Sequence, residues 1–253
     1  MRTEPADRLL LHVGALPVEV VRKRIKHLHV GVYPPEGRVR VAAPLALTDD
    51  AVRLAVVSRL GWIRRQQAQF AAQPRQALRE MVSGESHYVF GRRHRLRVVE
   101  HEGAGRVAVR GGGVLELCVP RGADRAARER VLHRWYRAAL RERVPPLLEK
   151  WQPRLGVRAA AWGVRRMRTK WGSCNVAARR VWVNLELAQK PAPCLEYVMV
   201  HELTHLLERL HTDRFVALMD QHLPNWRRYR RELNEAPLGA WPPSGQSSGC
   251  LLG

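Results

Sequence analysis

The sequence predicts an α+β fold in which a β-rich N-terminal region with one helix precedes a mainly helical domain that holds a small sheet. Three observations predict it. Apolar residues alternate with polar ones over residues 16–44 and 86–120, as in half-buried strands. They recur at helical spacing over residues 49–70 and again from about residue 124. Two short strand-like segments, 164–169 and 181–185, precede a third helical region. We therefore expect a β-rich region over residues 1–120, a mainly helical domain over 121–234 and a disordered tail over 235–253.

The composition is that of a folded globular protein. Of 253 residues, 45% are hydrophobic and 26% are charged, which excludes disorder for most of the chain. No run approaches the roughly 18 consecutive apolar residues of a membrane-spanning helix, and the first residues lack the pattern of a secretory signal. The four cysteines are far apart and form no CxxC pair, so neither a disulfide scaffold nor a cysteine zinc site is expected. We expect a cytoplasmic protein.

The N-terminal elements follow from local signals. Strand-like segments before and after the turn near residues 33–37 indicate a hairpin or short meander. Thr48 then has the character of a helix N-cap, with Asp49 and Asp50 in the first turn. The apolar spacing that follows predicts one helix from about Asp49 to Phe70. The segments between residues 86 and 120 return to strand character, separated by glycines.

Helices dominate the second half. A long amphipathic helix is predicted from about Asp124, and residues 144–146 (VPP) should kink or break it, because a proline ring clashes with the preceding turn. A further helix begins near Pro193, where the missing N–H costs nothing, and runs to about Arg209. Shorter helices are expected over 214–222 and 225–234.

The segment that carries chemistry reads His-Glu-Leu-Thr-His over residues 201–205. Positions i and i+4 lie on one face of a helix, so His201 and His205 can share a metal ion. Glu202 projects beside them, where it can act on water activated by the metal. Neutral imidazoles suit zinc, and a catalytic zinc keeps three protein ligands and one open position. The alternative is structural, with two histidines that merely line a core face.

A third ligand is needed, and His211 is the candidate. In a continuous helix it would rise about 15 Å above His201 and point away from it. It can bind the same metal only if the helix ends near Arg209 and the chain turns back. His222, Glu232 and Glu235 are the alternatives.

Several motifs resemble one family, the YgjP-like metallopeptidases, bacterial zincins related to the SprT and Wss-type proteases. The matching segments lie at residues 168–175 (RTKWGSCN), 183–187 (VNLEL), 197–206 (YVMVHELTHL), 211–215 (HTDRF) and 224–226 (PNW). Residues 38–44, 62–63 and 88–91 resemble the N-terminal part of the same family. The resemblance covers about residues 15–235. The chain departs from it in the Pro145–Pro146 pair, within what resembles a continuous family helix, and in the extra tail.

The resemblance implies a zinc-dependent peptidase. His201, His205 and His211 would bind Zn²⁺, and Glu202 would be catalytic. The zinc would polarise the scissile carbonyl and lower the pKa of its bound water, while Glu202 takes a proton and later gives it to the leaving amine. The substrate would be a protein or a peptide.

The segment 171–174 (WGSC) allows two interpretations. It could be an edge strand that pairs with an extended substrate, with Gly172 permitting a close backbone approach. It could equally be a tight turn that packs Trp171 over the metal helix. Cys174 could bind a metal, but a single cysteine usually behaves as a small buried hydrophobe.

A different class of function comes from the charge. The chain has 44 Lys and Arg against 23 Asp and Glu, a formal charge of +21, which favours acidic partners such as nucleic acid. Clusters at 226–231 (WRRYRR) and 62–65 (WIRR) could stack bases and neutralise phosphates. Each cluster could also be an ordinary helix with its aromatic in the core and its arginines in water. Nucleic-acid binding, or a protease recruited to DNA, is therefore the competing hypothesis.

Overall fold

The α+β class is confirmed in a computed structural model that describes residues 8–33, 37–72, 79–167 and 170–235. The chain forms two compact units, one up to residue 75 and one from residue 76. The expected boundary at residue 120 differs from this division. Strands of residues 86–119 belong to the second unit, where Leu96, Leu115 and Leu117 share a core with Leu132 and Tyr136. The predicted tail lies, apart from residue 235, outside the described residues.

The first unit is a four-stranded sheet with two helices. Its strand order is β1-β2-β4-β3, with β2 and β4 parallel and the outer pairs antiparallel. Its elements are β1 (Arg8–Val13), β2 (Leu16–Lys23), β3 (His29–Tyr33), β4 (Arg38–Pro44), α1 (Asp49–Val57) and α2 (Leu60–Ala72).

The alternation of buried apolar residues with more exposed ones explains the two central strands of this sheet, β2 and β4. Val18 and Val20 of β2 face the same core as Val39 and Val41 of β4, and the register pairs them one to one. Ile63 of α2 is buried in the same core. Strand β1 was not predicted, since its short apolar run does not alternate with polar residues.

The single helix predicted from residue 49 to residue 70 is two helices. Thr48 caps α1 as expected, accepting a hydrogen bond from the N–H of Ala51 at 3.3 Å. Ser58 ends that helix, and its hydroxyl donates to the carbonyl of Ala55 at 3.0 Å. A serine hydroxyl that bonds the backbone one turn back competes with helical continuation. The chain then restarts at Leu60.

The described residues of the second unit form two further sheets and four α-helices. One sheet has the order β5-β6-β8-β7 and the other the order β10-β11-β9, so that β10 lies at an edge. Its strands are β5 (Ser86–Val89), β6 (Arg92–Glu100), β7 (Arg106–Arg110), β8 (Val114–Val119), β9 (Ala161–Arg165), β10 (Gly172–Asn175) and β11 (Arg180–Asn184). Its helices are α3 (Arg125–Leu155), α4 (Ala192–Thr204), α5 (Asp213–His222) and α6 (Trp226–Glu235), with short 3₁₀ segments at Gly111–Gly113 and Leu185–Gln189.

Helix α3 continues through both prolines of residues 145–146, so the predicted break does not occur. The carbonyls deprived of helical partners belong to Arg141 and Glu142, which are exposed, so water can bond them. Val144 and Leu148, on either side of the proline pair, are buried in the core. Packing of this stripe offsets the lost backbone bonds.

Of the described helices, none combines the length and apolar character needed to span a bilayer.

Candidate metal centre

Helix α4 carries the His-Glu-Leu-Thr-His segment at its C-terminal end. Pro191 precedes the helix and Pro193 lies in its first turn, where no N–H partner is needed. Most side chains of this helix are buried in the core, among them Leu195, Met199 and Leu203, and their packing stabilises the helix. His201 and Glu202 lie in its last turn, and His205 is its C-cap residue.

The helix ends at Thr204, five residues earlier than the sequence suggested. The N–H of Leu207 and the N–H of Glu208 both bond to the carbonyl of Thr204, at 2.9 and 3.0 Å, which tightens the chain into a turn. The chain then enters α5, whose N-cap Thr212 accepts a hydrogen bond from the N–H of Phe215. This return brings His211 back beside the helix without a glycine at the turn.

Three histidines converge. Ligand nitrogens of His201, His205 and His211 lie within 4.8 Å of one another, and no other such group of three occurs within the described residues. The Nε2 atoms of His201 and His211 are 3.0 Å apart. Ring centroids are separated by 4.8 to 5.0 Å. The geometry is that of three imidazoles arranged around one point.

The protonation of the rings fits a metal. Burial lowers the pKa of His201 to about 3 and also lowers the pKa values of His205 and His211. The Nδ1 atom of His205 lies 3.1 Å from the carbonyl of Glu208, so Nδ1 carries the hydrogen and leaves Nε2 as a ligand. Two neutral imidazole nitrogens 3.0 Å apart repel unless a proton or a cation lies between them.

Aromatic side chains fix the ring positions. The Phe215 ring lies 4.7 to 4.9 Å from all three imidazoles and is 2% exposed. Tyr197, one turn before His201, contacts its ring edge-on at 5.8 Å and stacks on Trp226 of α6. The buried Nδ1 of His201 has no hydrogen-bond partner in the described part of the chain, so on that side packing rather than a hydrogen bond orients the ring. The sequence pattern assigns no role to Phe215, although this residue is the last one of the matching motif at residues 211–215.

Glu202 is buried beside this group. It is 5% exposed, and burial raises its pKa to about 8, an effect that the positive charge of Lys170 opposes. Gly172 of β10 lies against it. A Cβ atom at Gly172 would come within 2.5 Å of the Glu202 Oε1. Glycine is therefore required here for the close approach of a strand to the carboxylate.

The three histidines and Glu202 line a cleft of about 1060 Å³. Strand β10 forms one wall, α4 and α5 supply the floor, and α6 contributes Trp226 and Arg230. Residues 172–174 of the WGSC segment lie in the edge strand β10 rather than in a tight turn, and the half-buried Trp171 packs against the core of the second unit. Cys174 lines the cleft, but burial and then the charge of Glu202 raise its pKa to about 11, so it is a protonated thiol rather than a ready ligand.

The alternative third ligands lie elsewhere. Neither His222 nor Glu232 lines the cleft, and Glu232 instead interacts with Cys194. The side chain of Glu235 falls outside the described residues.

Comparison with known proteins gives a family match and a distant structural similarity. The model of the YgjP-like family, metallopeptidase domain, matches residues 28–236. The crystal structure of the metallopeptidase zymogen of Pyrococcus abyssi abylysin is similar at 17% identity and a TM-score of 0.34, over 36% of this chain and 90% of that one. No curated protein matches the chain significantly.

Proposed function

The chain belongs to the YgjP-like family of metallopeptidases, and from this premise we propose that it is a zinc-dependent peptidase. His201, His205 and His211 hold the metal, and Glu202 is the general base and acid. All four lie within residues 121–234, the segment that the sequence assigns to catalysis. The convergence of three ligand nitrogens within 4.8 Å, with a buried carboxylate on the adjacent residue, carries the proposal.

Zinc is the proposed metal because of the donor set. Three neutral imidazoles suit Zn²⁺, and three rather than four protein ligands are typical of a catalytic zinc. A fourth side-chain ligand would have indicated a structural site. In the described cleft, the other candidate donor is the protonated Cys174. When bound, zinc supplies a Lewis acid that polarises a carbonyl and makes a nearby water more acidic.

Glu202 moves the proton. Its burial favours the protonated form, whereas the charge of Lys170, and of a dication when one is bound, favours the carboxylate. The group can therefore accept a proton from the attacking water and hold it until the amine leaves. Gly172 keeps strand β10 close to the carboxylate and limits the water around it. The substrate class that follows from the family is a protein or a peptide.

Nucleic-acid binding remains the competing hypothesis, and its structural basis is weaker. Trp226 of the WRRYRR cluster is 5% exposed and stacks on Tyr197, so its faces are not free to receive bases. Trp62 is 38% exposed. A salt titration of DNA binding separates the hypotheses, since phosphate contacts make affinity fall steeply with salt.

The decisive experiment combines metal analysis with proteolysis of casein. Wild-type protein should hold about one zinc per chain, and His205→Ala should lose both zinc and activity. Glu202→Gln should keep the zinc and lose roughly 10²- to 10⁴-fold in turnover, because only the proton-transfer group is changed.

His222→Ala is the matched control, since that histidine lies outside the cleft and should affect neither measurement. Zinc retained by His205→Ala, or substantial activity in Glu202→Gln, would contradict the assignment.

A further inference from the structure

We propose that the cleft selects acidic peptide segments, with Lys170, Arg209 and Arg230 as the residues that determine specificity. The inference rests on the proposed peptidase function and adds a substrate class to it. It concerns the side chains that surround the metal centre rather than the centre itself.

The exposed charges that line the described cleft are positive. Among the described lining residues, the cationic ones are Lys170, Arg209 and Arg230, besides the histidines, and the carboxylate is Glu202. Glu202 is buried and belongs to the catalytic machinery, so it offers no charge to a substrate side chain. A cleft lined by cations concentrates the field of those cations and attracts anionic groups.

The three cations come from separate parts of the fold. Lys170 lies just before β10, Arg209 lies in the turn after α4, and Arg230 lies on α6. They therefore border the histidine cluster from different elements. A peptide lying in the cleft would meet positive charge at more than one point along its length.

These charges are available. All three residues are exposed, and none forms a salt bridge with a carboxylate of the described residues. Other arginines of the same unit are instead paired with carboxylates. Arg227, one turn earlier on α6, is paired with Asp220, and both Arg97 and Arg110 are paired with Glu116.

Arg230 is held in a defined direction. Its guanidinium carbon lies 5.8 Å from the centre of the Trp226 ring, and that ring stacks on Tyr197 at 6.2 Å. The contact with the Trp226 ring already restricts the Arg230 side chain. Arg230 therefore loses less conformational entropy when it binds an anion.

The expected size follows from exposed ion pairs. One such pair changes affinity by up to about fivefold, and the effect weakens with salt. A substrate that contacts two or three of these cations should therefore be preferred over its neutral analogue by roughly tenfold or more. A substrate with positive charge at the same positions should be rejected.

The test uses the full-length, zinc-loaded protein and three matched fluorogenic peptides. The peptides share one apolar centre and carry Asp and Glu, Asn and Gln, or Lys on both sides of it. We expect kcat/KM to fall from the acidic to the amide to the Lys peptide, and the difference to shrink at high salt. Lys170→Gln, Arg209→Gln and Arg230→Gln should each reduce the preference up to about fivefold with zinc content unchanged.

Two variants sharpen the result. Arg230→Glu should raise cleavage of the Lys peptide relative to the acidic one. Arg228→Gln is the matched control, because Arg228 is an exposed arginine of the same helix that does not line the cleft. It should leave the preference unchanged.

Binding to Glu202→Gln, read by fluorescence anisotropy, separates this proposal from the peptidase proposal. If peptide affinity follows charge but wild-type protein cleaves nothing, the peptidase function fails and the charge selection stands. Equal binding of the three peptides overturns the charge selection, whatever the activity. Displacement of the acidic peptide by single-stranded DNA at lower concentration, abolished in Arg230→Gln, would also overturn it, since the cleft would then recognise phosphates.

Discussion

The two units bury different types of side chain. In the described part of the first unit, the buried side chains are aliphatic, such as Val18, Val41 and Ile63. In the second unit, the buried side chains also include polar and ionisable ones: His87, His94, Glu116, Asn184, Glu186, Glu202 and Thr204. Groups whose pKa is shifted from its ordinary value, such as His87, Glu116 and Glu202, also lie there. Burying an ionisable side chain costs free energy. The presence of several such side chains in the second unit therefore indicates that the functional site lies there.

The largest test of this contrast is metal removal. The proposed zinc would bind only the folded second unit, and at a free concentration about 1000 times its dissociation constant it should stabilise that unit by about 4 kcal/mol. Chelation should therefore lower hydrogen-exchange protection in α4 and α5, where the ligands lie. Protection in β2 and β4 of the first unit should stay the same.

Loss of protection in β2 and β4 on chelation would show that the units are not energetically separate. Unchanged protection in α4 would show that the metal does not bind there.

A second test targets the close approach of β10 to Glu202. Gly172→Ala places a Cβ within 2.5 Å of the carboxylate, so the strand or the side chain must shift. A displacement of about 1 Å at a catalytic group costs roughly 100-fold in kcat. Zinc content should not change, because no ligand moves.

Gly111→Ala is the control for this variant. A Cβ there meets nothing within 4 Å, and activity should equal wild type. Full activity in Gly172→Ala would remove Gly172 from the positioning role.

A third test uses acid. Burial, with the charge of Arg79, lowers the pKa of His87 from 6.5 to about 4, so the unfolded chain binds a proton that the folded one does not between those values. The contribution of His87 to the stability of the second unit is fully present above pH 6.5 and is lost as pH falls towards 4. At pH 5 the loss from His87 is about 2 kcal/mol.

His87→Gln should flatten the dependence of unfolding free energy on pH over this window. His133, whose pKa burial also lowers to about 4, should leave a residual slope that His133→Gln reduces further. An unchanged slope in both variants would show that these histidines are not the acid-sensitive groups.

The smallest effect should be alike in the two units. Thr48 caps α1 of the first unit, and Asp124 caps α3 of the second by accepting from the N–H of Ala127 at 2.7 Å. Replacing either residue with Ala should cost about 1 kcal/mol in denaturant unfolding. A much larger loss in one unit would mean that its cap does more than satisfy a helix end.

Local signals explain how much of the fold was predictable. Strands β2, β3 and β4 of the first sheet follow from alternating valines, and the starts of α1 and α3 follow from their caps. The errors arise where long-range packing decides. Helix α3 passes through Pro145 and Pro146 because buried neighbours hold it together, and residues 86–119 join the second unit because their core partners come later in the chain.

The site divides in the same way. The spacing of His201 and His205 on one helix face is a local property, and so is the position of Glu202 between them. The place of His211 depended on a turn that no sequence rule identified, since the turn contains no glycine. Nothing in the sequence indicated that Phe215 contacts all three rings.

By itself, the sequence determined the class of the fold, the pair of histidines on one helix and the residues eligible to complete the group. The tertiary structure decided where α4 ends, which cations border the cleft, and that Gly172 lies against Glu202. The reason is that helical periodicity and capping act within a few residues along the chain. The cleft is instead lined by residues from separate segments of the chain, from Lys170 to Asn234, which only the folded backbone brings together.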